Sequence, residues 1–335
     1  MGYFKRKNHF DVDGRTVLIT GGSTGMGRAL AKLLASKGAN VVIVARTQKN
    51  LDEALEYIKP AAKSPGSQRF HAISADVTSA VENERIITEV TEWNNGQPAD
   101  IVWANAGASY PALFLDTPLE TLRAQMDINY WAAAYLAQVT LKSWLKPFTS
   151  SSTSDNASAV KPRHFLITSS SIAFVGLAGY GPYAPAKAAL RSLADSLRSE
   201  VNLYNGARRR DPSIATADVK IHCVLPGTIN TPGLANEEKT KHEITKILES
   251  GDPVQTEDEV AAAAVKGLER GGYLVTTQIM GHALRVGALA GSPRNGWGII
   301  DTLFSWAVSI AWLFVGPDLD SKVVAYGKQN GINSK

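Results

Sequence analysis

Apolar and polar positions along this chain follow two periods. Short runs that are apolar at almost every position, "RTVLIT", "NVVIVA", "FHAISA", "DIVWANA", "RHFLITS" and "VKIHCVLPG", are bounded by glycine, proline or polar residues. Between them lie longer stretches of helical pattern: "GRALAKLLASKG", "KNLDEALEYI", "VENERIITEVTEW", a segment around 118–146 and another over about 183–204. Strands apolar on both faces must be covered on both faces, so the alternation predicts a doubly wound α/β fold with a parallel sheet. The Ser-rich stretch 149–162 and the stretch 205–218, "NGARRRDPSIATAD", read as loops.

Immediately after the first strand stands "TGGSTGMGRALAKLL", in which Gly21, Gly25 and Gly27 are spaced Gly-x3-Gly-x-Gly ahead of a helix. Glycines let the backbone turn sharply and approach a pyrophosphate, and the helix N-terminus then offers unpaired N–H groups to its charge. The end of the second strand decides which dinucleotide. A carboxylate there would hold a ribose 2′-hydroxyl, but the sequence reads "VVIVARTQ", with Ala45 followed by Arg46. A guanidinium suits a 2′-phosphate, with Lys49 and Ser23 as candidates to assist, so the expected cofactor is NADPH.

Further on, "HFLITSSSIAFVGLAGYGPYAPAKAAL" sets three serines in a row, Ser169 to Ser171, ahead of a tyrosine and a lysine four apart, Tyr183 and Lys187. Taken with "TGGSTGMG", Asp76-Val77, Asn105-Ala106-Gly107, Asn129 in "DINYWAA", Ser170, Tyr183 to Lys187 as "YAPAK", and Pro226-Gly227 with Thr231 after it, the chain resembles the short-chain dehydrogenase/reductase family over about residues 14–275. The resemblance implies a Rossmann-type domain in which Asn129, Ser170, Tyr183 and Lys187 are catalytic. It also implies cofactor contacts from Gly21, Gly25, Gly27, Asp76, Val77, Asn105, Gly107, Tyr183, Lys187, Pro226, Gly227 and Thr231. The chemistry agrees with the residue types: hydride delivery to a ketone leaves charge on oxygen, which needs a proton donor and a hydrogen-bond donor placed in advance. Lys187, one helical turn from Tyr183, is expected to favour phenolate by its positive charge. The resemblance further implies that Lys187 holds the nicotinamide ribose, that Ser170 orients the carbonyl, and that Asn129 holds a water.

Within the family, the stretches "GLAGYGPYAPAKAALRSLADSLRSE" and "NTPGLANEEKTKHE" are most similar to 3-ketodihydrosphingosine reductases, which implies a long-chain amino ketone as substrate and a substrate-covering region at about 228–255. Such enzymes often carry Pro-Pro-Asp where this chain has Pro226-Gly227-Thr228. Alternatives are a reductase of another ketone, steroidal, fatty-acyl or soluble, and a non-catalytic NADP-binding sensor or scaffold.

Residues 276–335 form a C-terminal extension whose segment 297–316, "WGIIDTLFSWAVSIAWLFVG", is the most apolar of the chain, with Asp301 its one charge. Its uncharged part, Thr302 to Val315, is 14 residues and would cover about 21 Å as a helix against roughly 30 Å of hydrocarbon. The expectation is a helix lying in a membrane interface, with Trp297, Trp306 and Trp312 at headgroup level; a helix packed on its own domain or in an oligomer interface stays open. Composition adds little beyond this. The 335 residues carry 35 Lys and Arg against 31 Asp and Glu, a net +4 that gives no case for nucleic acid. The single cysteine, Cys223, lies in a strand pattern and suits a reducing compartment. No secretory-type apolar run precedes the first strand. The location expected is the endoplasmic reticulum membrane, with the catalytic domain toward the cytosol and no metal bound; a homo-oligomer is also expected.

Overall fold

The computed structural model describes residues 7–145, 160–211, 217–289, 294–296 and 298–330. In chain order the elements are β1 (Thr16–Thr20), α1 (Gly25–Ser36), β2 (Asn40–Ala45), α2 (Gln48–Ile58), β3 (Phe70–Ser74), α3 (Ala80–Trp93), β4 (Ile101–Ala104), α4 (Leu119–Met126), α5 (Ala132–Trp144) and β5 (Arg163–Thr168). They continue with α6 (Ala184–Arg210), β6 (Val219–Leu225), α7 (Pro232–Glu237), α8 (Glu243–Glu249), α9 (Glu257–Glu269), β7 (Leu274–Thr276), α10 (Ile279–Gly287) and α11 (Ile299–Asn330).

The strands form one parallel sheet in the order β3-β2-β1-β4-β5-β6-β7, the doubly wound topology expected. Alternate residues of each strand feed two apolar cores. Leu18, Val42, Val102 and Phe165 pack with Leu136 of α5 and Leu190 of α6 on one face. Val17, Ile19, Val41 and Trp103 pack with Leu30 and Leu34 of α1 and Leu268 of α9 on the other. Strand order reverses between β1 and β4, and that switch point opens a crevice at the carboxyl ends of the strands, where ligands bind in such sheets.

Three elements depart from the sequence pattern. The helix expected near 118–146 is interrupted by a π turn, Asp127–Trp131, with Asn129 buried inside it. Such single-turn widenings frequently mark functional positions. Helix α6 runs past 204 to Arg210, because the arginines read as loop close its last turn, where cations oppose the helix dipole, and Arg208 and Arg209 pair with Asp218 at 3.1 and 3.3 Å. Of the two loops expected from composition, residues 149–159 and 212–216 lie outside the described residues.

The third departure is α11, a continuous helix that carries Pro317 inside it and ends well beyond residue 316. Gly316 precedes that proline and has no Cβ to strike the ring, which relieves the clash that normally ends a helix there. The stretch Ile299–Tyr326 is long and apolar enough to cross a membrane, and almost none of its most apolar part is buried. Its first turn is firmly anchored. Arg285 of α10, 1% exposed, makes a two-pronged pair with Asp301 at 2.7 and 2.8 Å, and Asn295 links Asp301 to the backbone of Tyr273 and Leu274 in β7. Trp297 lies outside the described residues.

Candidate active site

The floor of the crevice is made of backbone. Thr20, at the end of β1, accepts through Oγ1 from the N–H groups of Asn105 and Ala106, both at 3.1 Å, and so ties the ends of β1 and β4 together. Gly21 has φ +66°, and a Cβ there would come within 2.9 Å of Ala106 Cα; a Cβ on Gly27 would lie 2.1 Å from the Gly21 carbonyl oxygen. Gly25, at φ +57°, opens α1 and faces Thr231 across the crevice. These are the constraints of a loop that brings backbone N–H groups and a helix N-terminus to a phosphate. Thr231 caps α7, its Oγ1 accepting from Leu234 N at 3.1 Å. Pro226 and Gly227 line the same wall, and a Cβ on Gly227 would collide with the Gln278 amide, at 1.8 Å from Nε2. Gln278 was not singled out by the sequence because nothing near it in the chain marks its position over Gly227.

On the outer rim, Arg46 is exposed at the end of β2 and its charge reaches Asp76, whose carboxyl is held below the usual range chiefly by the Thr78 N–H at 3.0 Å. Ser23 is half-buried in the glycine loop, and Val77 is buried below Asp76. Lys49 points outward on α2 and lies 3.9 Å from Glu53.

The reacting groups come from β5, its following turn and α6. Ser170 caps a short 3-10 turn and is hydrogen-bonded to Tyr183, which caps α6. Lys187, one turn along α6, is buried and donates to the Thr168 carbonyl at 3.2 Å, 5.5 Å from the Tyr183 ring centre. The neighbouring serines divide the labour: Ser169 Oγ donates to the Lys187 carbonyl at 2.7 Å and pins the helix to the strand end. Asn129 is engaged with backbone, donating to Ala108 O at 2.7 Å and Gln125 O at 3.0 Å and accepting from Ala108 N at 3.2 Å. Gly107 lets this loop close on both groups, since a Cβ there would sit 2.8 Å from Asn129 Oδ1 and 3.1 Å from Lys187 Nζ.

Electrostatics at the centre differ from the sequence expectation. Burial is the dominant effect on Lys187 and lowers it to about 8. Burial, aided by the negative charge of Glu237, raises the Tyr183 phenol, and only Ser170 pulls it back. With protein atoms alone, then, Lys187 does not bring Tyr183 toward phenolate; the phenol is held as a proton donor. The cleft, about 700 Å³, is lined by these groups together with Leu177, Leu284, and Trp312, Val315 and Leu319 of α11. Residues of the stretch 228–255, among them Thr231, Leu234, Glu237 and Leu248, line the cleft, and the stretch is pinned at both ends, where Ile229 bridges Gln255 and Gln255 N donates to Thr228 O at 3.0 Å.

This sheet, glycine loop and Ser-Tyr-Lys arrangement are those of an oxidoreductase, and the chain belongs to the short chain dehydrogenase family, which residues 15–242 match. Enzymes of this family work with a nicotinamide cofactor, and the collisions that a Cβ would meet at Gly21 and Gly27 fit the crevice for its pyrophosphate. A 3-ketodihydrosphingosine reductase of Aspergillus fumigatus is 52% identical over 331 residues, covering 98% of this chain and 89% of that protein. Among solved structures, a short chain dehydrogenase/reductase of Burkholderia phymatum in complex with NAD superposes with a TM-score of 0.62 at 17% identity, covering 80% of this chain and 90% of that one. A short chain dehydrogenase of Burkholderia cenocepacia in complex with NADP gives 0.61 at 23%, covering 80% and 97%. These two share the fold.

Proposed function

We propose that this chain reduces 3-ketodihydrosphingosine to dihydrosphingosine with NADPH, at a membrane surface. The observation that carries the reading is that one cleft is lined both by Ser170, Tyr183 and Lys187 and by Trp312, Val315 and Leu319 of the apolar helix α11. A substrate with a polar head and a chain of about fifteen methylenes, each worth ~0.8 kcal/mol out of water, needs such a path. The 52% identity with the Aspergillus fumigatus reductase supports the same substrate.

Bound NADPH supplies the hydride. Ser170 orients the carbonyl, and the Tyr183 phenol, kept protonated by burial, gives its proton to the oxygen as charge develops there. Lys187 holds the ribose hydroxyls, while Asn129 fixes the loop that carries Gly107 against Lys187. Gly21, Gly25 and Gly27 would admit the pyrophosphate, and Asp76, Val77, Asn105, Pro226, Gly227 and Thr231 would hold the rest of the dinucleotide. Arg46, with Ser23, receives the 2′-phosphate; Lys49 contributes only its charge from the outer face of α2. The exposed apolar face of α11, with Ile310, Leu313 and Phe314, lies in the endoplasmic reticulum membrane with the sheet on the cytosolic side.

The test is NADPH oxidation by the full chain with 3-ketodihydrosphingosine in mixed micelles, against steroid, fatty-acyl and short soluble ketones. Preferred turnover of the long-chain amino ketone is expected. Preference for another ketone would replace the substrate, and cofactor binding with no turnover on any of them would point to a sensor.

A further inference from the structure

The covering region brings several carboxylates to the cleft, and their partners are unequal. Lys241, whose side chain is 3% exposed, bridges Glu238 at 2.7 Å and Glu249 at 2.8 Å. Glu249 also accepts from the Tyr180 hydroxyl. The one buried cation of the region is thereby committed. Glu237, the last residue of α7, lines the same cleft, and among the described residues no cation lies within ion-pair distance of it. Its polar neighbour is Ser109, from the loop after β4, whose hydroxyl is buried with no partner at hydrogen-bond geometry and lies near enough to Glu237 to lower its carboxyl slightly.

Glu237 is also near the chemistry. Its charge is felt by Tyr183 and Tyr180, so the carboxylate lies within electrostatic reach of the phenol that meets the carbonyl. Burial is the main cause that raises it to about 7; the charge of Lys241 is the largest opposing influence, Glu249 and Glu238 add to the rise, and Ser109 lowers it a little. Glu237 is half-buried, and a carboxylate partly withdrawn from water with no ion pair gains from a ligand that brings a cation.

Under the function proposed above, the substrate brings such a cation at a fixed place. Its ammonium stands on the carbon next to the carbonyl, so seating the carbonyl on Ser170 and Tyr183 places the ammonium beside them. We propose that Glu237 receives this ammonium, and that the pair selects α-amino ketones over plain ketones of the same chain length. The groups facing Glu237 are Lys241, Glu238 and Glu249 from the covering region, Ser109 from the loop after β4, and Tyr183 and Tyr180 at the start of α6.

The experiment compares Glu237→Gln, Glu237→Asp and the unmodified full chain on 3-ketodihydrosphingosine and on its desamino analogue, with NADPH saturating. For Glu237→Gln, kcat/KM on the amino ketone should fall by roughly tenfold or more, mostly through KM, the size of one charge-assisted hydrogen bond. On the desamino ketone it should change by less than about threefold, so that the preference for the amine collapses. Glu237→Asp should recover part of the loss. In the unmodified enzyme, KM for the amino ketone should rise as pH falls below 7 while that for the desamino ketone stays level; this pH series decides the question even where the glutamine variant is poorly folded. Equal losses on both ketones, or an amino-ketone KM indifferent to Glu237 and to pH, would overturn the assignment and leave the substrate reading intact. An unmodified enzyme that reduces other ketones but not the amino ketone would overturn both.

Discussion

The wall of the cleft beneath β1 and β4 is made of backbone, with Gly21, Gly27 and Gly107 each so close to a neighbour that a single carbon would collide, whereas the wall formed by α7, α8 and α11 is made of side chains of every character. The first must accept one cofactor, the same in every turnover, and it does so with groups that have no rotamers to lose. The second, which under the proposed function meets a flexible amphiphile, presents an acid, committed ion pairs and a long apolar helix. A backbone-built site tolerates almost no change at its glycines, while a side-chain site can change its ligand by exchanging one residue at a time.

The largest expected effect sits where the two walls meet. Tyr183→Phe should lower turnover by about 10²–10⁴, the range for a positioned proton donor, while NADPH binding measured by fluorescence stays near its original value. A loss below tenfold would move the proton source elsewhere. Next comes the backbone wall: Gly27→Ala forces a methyl to 2.1 Å from the Gly21 carbonyl oxygen. Overpacking of that kind costs about 3 kcal/mol at the upper end, so NADPH affinity should fall by roughly a hundredfold, and a near-normal Kd would show that the loop can open.

The side-chain wall is probed by two truncations. Ending the chain after Thr302 removes most of α11 but keeps Asp301, whereas ending it before Gly296 leaves Arg285 buried and unpaired, a defect worth about 3–5 kcal/mol. The longer product should melt near the full chain, leave the membrane fraction and keep activity on a short soluble ketone; the shorter one should melt distinctly lower. Equal melting would remove Asp301 from the anchor, and loss of soluble activity in the longer product would make α11 structural. The smallest effect belongs to the rim. Arg46→Ala should raise KM for NADPH by about tenfold and leave that for NADH unchanged, since only NADPH carries a 2′-phosphate. Equal changes would return Arg46 to the solvent.

What could be read from the sequence follows the same division. Glycine spacing, apolar strand runs and the Tyr183-to-Lys187 interval are dictated by covalent geometry and reaction chemistry, so they stand in the chain as patterns. The Ser169 role is tertiary: its hydroxyl reaches a carbonyl on α6 that no local pattern reveals. Asn129 stood out in the sequence, but the π turn around it did not, because helical periodicity absorbs one extra residue without losing its stripe. Arg208 to Arg210 look like a solvated run until Asp218 is seen beside them. Glu237 is one acid among several in "ANEEKTKHE", and only the pairing of Lys241 with its neighbours sets it apart.

Helix α11 supplies both an outward apolar face and part of the inner wall of the cleft, and under the membrane reading this changes the units in which the enzyme counts its substrate. A ketone that reaches Tyr183 along α11 is searched for in two dimensions, so the governing concentration is its mole fraction in the lipid. Diluting the bilayer with inert phospholipid at constant total ketone should then slow the reaction, while diluting the whole suspension with buffer should not, so long as the protein remains bound.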